Sequence, residues 1–175
     1  MRLGLRFIAD DPGRWVAMMP QKLAFTFDHE SFPIGYVASA DPARWPERDR
    51  ALGRGILSWS HRLLLTVAAL AMLPRPSRRR PRSLILPFAL VLYAWFAAWT
   101  PPHPFWPLTL AICLGAVLRF RHLSASALYT AAATASLVVV HAVFFGEDRY
   151  HLVVTPLFCL LAATAWPVSR SAAAS

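Results

Sequence analysis

Five long apolar runs, separated by short polar loops, restrict what this chain can fold into. The runs are Ile56–Leu73, Ser83–Thr100, Phe105–Leu118, Ser124–Phe145 and Leu152–Val168. A helix that crosses a bilayer needs about 20 residues, within a range of about 17–25, and four of the runs reach that length. The run 105–118 is shorter, so it either spans with Arg119 and Arg121 reaching out from its end or forms a re-entrant segment. The pattern predicts an all-α, polytopic membrane protein with about five transmembrane helices.

Composition agrees with lipid as the main solvent of the chain. Apolar residues make up 57% of the sequence, charged residues make up 15%, and the mean hydropathy is +0.43. A soluble domain has about 45–50% apolar and about 25% charged residues. The net charge of +9 is carried by short arginine bursts beside the apolar runs, and no nucleic-acid-binding motif accompanies it. We therefore expect these arginines and apolar runs to interact with a lipid bilayer and not with nucleic acid.

The loops between the runs predict an orientation. The segment 73–82 holds five arginines and no acid, and 119–122 holds two arginines and no acid. The alternate loops, 100–107 and 146–151, contain one basic residue between them, Arg149. Because cytoplasmic loops are rich in Lys and Arg, the basic loops and the tail 169–175 are predicted to be cytoplasmic. Five crossings then place the N-terminus outside.

Residues 1–55 are mixed and polar, and they carry seven of the nine acidic residues. Asp11 followed by Pro12 is typical of a helix start, and an apolar face follows at four-residue spacing, made by Trp15, Met19 and Leu23. We expect either a helix lying on the membrane surface or a packed soluble helix, kinked or ended at Pro20. Residues 28–55 are turn-rich and predict a loop. The sequence MRLGLRFIADDPGRW shows no cleavable signal peptide, since it turns acidic before an apolar core develops.

The stretch FFGEDRYHLVVTPL, residues 144–157, joins the last two apolar runs at the predicted outer face. Arg149 lies beside Tyr150 and His151 there, at the level of lipid headgroups. A guanidinium presents a fork of donors that matches phosphate oxygens, and tyrosine adds another donor. The alternative is that Glu147, Asp148 and Arg149 neutralise one another in a solvated turn.

Other polar residues suggest less chemistry. His61 and Arg62 lie near the outer end of the first run and are expected to extend to the headgroups. Three consecutive residues, Asp28 to Glu30, cannot all face one metal ion, and Cys113 and Cys159 lie in apolar runs without a CxxC pair. The sequence therefore predicts no metal site and no cofactor, and it contains no GxSxG, HExxH, Walker or GxGxxG motif.

Two stretches resemble a known family. DDPGRWVAMMPQKLAFTF (10–27) and FFGEDRYHLVVTPLFCLLAA (144–163) are similar to parts of bacterial GT-C glycosyltransferases that use polyprenyl-phosphate sugars, including protein mannosyltransferases (family 39) and lipid A aminoarabinose transferases. The matching positions are Asp11, Pro12, Gly13, Arg14, Lys22, Leu23, Arg149, Tyr150 and Pro156. The family often has proline where this chain has Val153 or Val154. The matched region corresponds to the family's C-terminal part.

The resemblance implies inverting transfer of a sugar from a polyprenyl phosphate at the outer face of the bacterial inner membrane. Arg149, Tyr150, Lys22 and His151 would then contact the lipid-linked phosphate. The family's catalytic carboxylate lies after its first transmembrane helix, which has no counterpart here, so we expect no catalytic residue and no activity from this chain alone. A separately encoded N-terminal half or other membrane subunits would supply the rest. The alternative is a non-catalytic membrane subunit with a structural or assembly role.

Overall fold

The described part of the protein is built from α-helices joined by short turns. The computed structural model describes residues 6, 8–73, 85–144 and 148–164, without the side chains of 148, 149 and 151. The helices are α1 (Pro12–Phe27), α2 (Phe32–Ala40), α3 (Glu47–Met72), α4 (Ile85–Trp99), α5 (Pro107–Arg119), α6 (Ala125–Val143) and α7 (Thr155–Ala163), with 3₁₀ helices at Phe120–His122 and Asp148–Val153. Within these ranges there is no β-strand. The expectation of an all-α fold is confirmed there.

Helix α1 starts where the sequence predicted. The Asp11 carboxylate accepts a hydrogen bond from the Arg14 backbone N–H at 2.9 Å, and Pro12 occupies the first helical position, where no N–H is needed. The helix continues through Pro20 to Phe27, so of the two expected outcomes, a kink or an end, the end is wrong. Seven helical residues follow the proline.

The interval 28–55, which was expected to be a loop, is largely helical. Helix α2 occupies Phe32–Ala40, and α3 begins at Glu47, nine residues before the apolar run starts. Glu47 and Asp49 lie in the first turn of α3, where negative charge interacts favourably with the helix dipole. The loop prediction failed because prolines that are typical of turns, Pro33 and Pro46, lie at helix starts here, where proline displaces no helical hydrogen bond.

The core forms where α3 packs against α5 and α7, and α6 packs against α5 and α1. Its buried residues come from all of the last five helices and include Leu65, Met72, Ile112, Ala131 and Phe158. Gly115 permits the close crossing of α5 and α3, because a Cβ placed there would lie 2.8 Å from the Met72 carbonyl oxygen. Arg119 fixes the same crossing by donating from Nη1 to the carbonyls of Ala71, Met72 and Leu73 at 2.8–3.1 Å.

Each of the five apolar runs contains a helix, but the helices differ in length. By length and composition, two of those described could cross a membrane, α3 and α6, and α4 is a shorter apolar helix. The arginine-rich segment, with residues 74–84, and the tail, with residues 165–175, lie outside the described residues. Arg119 was predicted to extend from the end of its run. Instead, its side chain contacts the end of α3.

Candidate functional site

The first group of site residues meets at the carboxyl end of α6. The Val143 carbonyl accepts hydrogen bonds from Lys22 Nζ at 3.0 Å and from the indole N–H of Trp15 at 3.2 Å. Lys22 also lies 5.9 Å from the centre of the Trp15 ring. A cation at the last turn of a helix is favoured by the free carbonyls and the helix dipole. Two residues spaced seven apart on α1 therefore attach that helix to the end of α6.

Tyr150 lies at the same end of α6. The centre of its ring lies 4.8 Å from that of His141, which is buried in the last turn of α6. The 3₁₀ helix Asp148–Val153 that carries Tyr150 packs against α1 and α7. The fold thus gathers Lys22 and Tyr150 around the end of α6, whereas the side chains of Arg149 and His151 lie outside the described atoms. Pro156 lies in the first turn of α7, where it displaces no helical hydrogen bond.

A second polar group, which the sequence did not indicate as a site, lies between α1 and α3. Ser58, His61 and Arg62 form a polar stripe on α3, and all three are buried. The stripe is hydrogen-bonded to the backbone at the end of α1 and just after it. The Ser58 hydroxyl accepts from the Glu30 N–H and donates to the Glu30 carbonyl. His61 Nε2 donates to the Phe27 carbonyl, and Arg62 Nε donates to the Asp28 carbonyl at 2.8 Å.

This arrangement corrects one expectation. His61 and Arg62 were expected to extend to lipid headgroups, but they are 5% and 7% exposed and hold the end of α1. A buried donor needs an acceptor. The carbonyls of Phe27 and Asp28 lie at the carboxyl end of α1 and supply these acceptors.

Asp28 links this group to α5. Its Oδ1 accepts from the Trp106 backbone N–H, at the amino end of α5, while Oδ2 is buried without a hydrogen-bond partner among the described atoms. Burial raises the pKa of Asp28 from 3.8 to about 7, against the lowering effects of the Trp106 and Phe105 N–H groups and of the Arg62 charge. The carboxyl group is therefore close to half protonated at neutral pH.

Arg62 also faces the surface between α3 and α4. Its guanidinium carbon lies 4.7 Å from the centre of the Trp59 ring and 5.5 Å from that of Phe105. These three residues line a cavity of about 270 Å³, the α3–α4 groove, whose other walls include Thr66, Val91 and Ala98. The groove is almost wholly apolar except for this guanidinium. A buried cation thus forms part of an otherwise apolar wall.

A signal for the polar stripe was present in the sequence. Ser58, His61 and Arg62 are spaced at i, i+3 and i+4, so they share one face of a helix within an apolar run. What covers that face cannot be read from the spacing, because its partners lie 28 to 34 residues earlier. The described residues also contain no group of three or more His, Cys, Asp or Glu side chains that could hold a metal ion.

Comparison with protein-family models, with curated proteins and with solved structures finds no match for this chain.

Proposed function

We propose that this chain is the C-terminal part of a membrane glycosyltransferase that takes a sugar from a polyprenyl-phosphate donor at the outer face of the bacterial inner membrane. One observation supports the proposal most strongly. The two stretches that resemble the family, 10–27 and 144–163, are more than a hundred residues apart, yet α1 packs against α6 and the 3₁₀ helix Asp148–Val153. Residues from both stretches are therefore close enough in space to contribute to one site.

In this proposal each residue contributes a different group to binding of the lipid-linked phosphate. Lys22 supplies a flexible cation beside the end of α6, and Arg149 supplies a planar fork for two phosphate oxygens. Tyr150 and His151 add further donors. The basic group that accepts the acceptor's proton comes from a separately encoded N-terminal half or another membrane subunit. Asp28 is poorly placed for that role, since its Oδ1 accepts a hydrogen bond from the Trp106 N–H and the residue is only 4% exposed.

The proposed topology has five crossings, with residues 1–55 outside and the tail cytoplasmic. The large exposed apolar side chains of α4, which include Phe88, Trp95, Phe96 and Trp99, support contact with lipid. We expect Asp148→Cys to react with a membrane-impermeant thiol reagent added outside intact cells, in a chain with Cys113 and Cys159 replaced by serine. Arg79→Cys should react only after the membrane is opened. The reverse pattern would overturn the orientation.

Donor binding tests the proposed site directly. The full chain in lipid nanodiscs would be titrated with geranylgeranyl phosphate, and the dissociation constants of Lys22→Gln, Arg149→Gln and Tyr150→Phe compared with that of the wild type. Hydrogen bonds to charged groups contribute about 1.5–3 kcal/mol, so Lys22→Gln and Arg149→Gln should each weaken binding by about tenfold or more. The matched control is Arg44→Gln, an exposed arginine in the turn between α2 and α3. Equal affinities for the wild type and all three variants would reject the site.

A second candidate is a non-catalytic subunit that packs against other membrane proteins. The exposed aromatic face of α4 favours it, because α4 makes few contacts inside this chain. Co-expression separates the candidates. A partner with an outer Asp or Glu after its first transmembrane helix should restore sugar transfer together with this chain, and Arg149→Gln should abolish that activity. If transfer by such a partner is the same with and without this chain, the subunit role is favoured.

A further inference from the structure

Arg62 is a buried cation without a complete set of partners. Its Nε donates to the Asp28 carbonyl, whereas its two terminal amino groups have no acceptor among the described residues. None of the ion pairs described in the structure involves Arg62. A buried charge that is only partly compensated is unfavourable. An anionic group that reaches the terminal amino groups from the groove would therefore stabilise this position.

The nearest acid compensates only in part. Asp28 lies close enough to Arg62 to affect its electrostatics, but burial raises the Asp28 pKa to about 7 and half removes its charge at neutral pH. The faces of Trp59 and Phe105 attract the guanidinium as cation–π partners. An aromatic face is a weaker acceptor than an anionic oxygen, so the two rings do not satisfy the four terminal N–H groups of Arg62. The indole N–H of Trp59 likewise has no acceptor among the described residues.

The groove that Arg62 enters has the form expected for a chain with a charged head. Arg62, Trp59 and Phe105 lie at one end, which is close to the turn after α4, because the Trp59 ring lies 5.8 Å from that of His103. The remaining wall, with Thr66 and Val91, follows α3 and α4 away from that turn. Its volume of about 270 Å³ is just below the range of about 300–1,000 Å³ for small-molecule pockets, so it suits part of one hydrocarbon chain.

We propose that the α3–α4 groove binds one phospholipid with an anionic phosphodiester head, held by Arg62 and Trp59, with an acyl chain along the apolar wall. A phosphodiester is favoured over a carboxylate because its oxygens can accept from both terminal amino groups and from the indole N–H together. A zwitterionic lipid is disfavoured because its ammonium group would bring a second positive charge beside Arg62. The proposal goes beyond sugar transfer, and it requires only that the chain lies in a bilayer.

Lipid titration of the purified full chain in detergent tests this binding. Native mass spectrometry would count phosphatidylglycerol and phosphatidylcholine molecules with identical acyl chains bound to each protein molecule. The wild type should prefer phosphatidylglycerol by about tenfold, because the choline ammonium of phosphatidylcholine repels Arg62 while the phosphodiester is the same in both lipids, and Arg62→Gln should lose that preference. Arg48→Gln removes the same charge from an exposed position on the same helix and should keep it.

A second variant guards against misfolding of Arg62→Gln. Ala98→Leu fills the groove and leaves the Arg62 hydrogen bond to Asp28 in place, so it should weaken phosphatidylglycerol binding while thermal unfolding stays close to that of the wild type. Lys22→Gln should leave phosphatidylglycerol binding unchanged, which separates this groove from the proposed donor site. Equal binding of both lipids by the wild type, or phosphatidylglycerol binding by Ala98→Leu as tight as that of the wild type, would overturn the proposal. Displacement of phosphatidylglycerol by equimolar oleate would overturn the assignment to a phosphodiester.

Discussion

Replacing Asp28 by asparagine should change how the stability of this protein depends on pH. Asparagine keeps an oxygen to accept from the Trp106 N–H and cannot ionise. In the wild type the pKa rises from 3.8 to about 7 on folding, so the folded state binds the proton more tightly than the unfolded state does. The contribution of this proton to stability is fully present below about pH 3.8 and is lost as the pH rises through about 7.

The magnitude follows from the same two values. A tenfold difference in proton affinity is about 1.36 kcal/mol, so the whole effect is about 4 kcal/mol, of which about 2–3 kcal/mol falls between pH 5 and pH 8. The free energy of unfolding of Asp28→Asn, relative to the wild type, should therefore increase by about 2–3 kcal/mol over that interval.

The assay is thermal or denaturant unfolding in one detergent, followed by tryptophan fluorescence from pH 5 to pH 8. Asp49→Asn, at an exposed position, is the control that reports what the other titratable groups contribute. Infrared spectroscopy adds an independent readout, because a protonated carboxyl band should be present at pH 6 in the wild type and weaker in Asp28→Asn. Parallel pH profiles for the wild type and Asp28→Asn would refute the reasoning about burial.

Two further predictions concern the crossing of α3 and α5. Gly115→Ala should lower the free energy of unfolding by about 1–3 kcal/mol, because its methyl group would meet the Met72 backbone, whereas Gly55→Ala, which faces open space, should be neutral or raise it by up to about 1 kcal/mol. Equal effects of the two substitutions would contradict the close crossing. Arg119→Gln should lower it by about 1.5–3 kcal/mol through loss of charged donors to the three last carbonyls of α3, and exposed Arg121→Gln should change it little. Chemical unfolding of each pair of variants measures these differences, and a larger loss for Arg121→Gln would exclude the capping role.

The sequence was informative where one segment determines its own structure. Asp11 and Pro12 start α1 because a cap and a fixed φ act locally, and the apolar runs contain helices because hydrophobic residues recur along each of them. Prediction failed where distant segments decide the outcome. Pro20 does not end α1, and Arg62 is buried, since the end of α1 docks on a helix more than 30 residues later in the chain.

The candidate site, too, could be predicted only where local motifs determine it. Lys22 and Tyr150 were selected from short motifs, and the fold places both at the end of α6. That Lys22 bonds the Val143 carbonyl could not be predicted, because it depends on how α1 lies across a helix 121 residues away. The sequence argued against Asp28 as a metal ligand and did not indicate its contact with Trp106, which spans 78 residues. Single-sequence patterns carry no information about such pairs.

The contact between Arg119 and the end of α3 has a consequence for synthesis and insertion. Leu73 follows the last residue of α3, yet the side chain that satisfies its carbonyl is encoded 46 residues later, with the whole of α4 in between. A ribosome delivers α4 first, so α3 and α4 are together before the true partner of α3 exists. Since α3 finally packs chiefly against α5 and α7, the last helices to emerge must complete its surface while α4 remains at the periphery. The surface of α3 can therefore be completed only after α5 and α7 have been made, and α4, which makes few contacts inside the chain, is a helix that a partner protein could displace with little loss of internal packing.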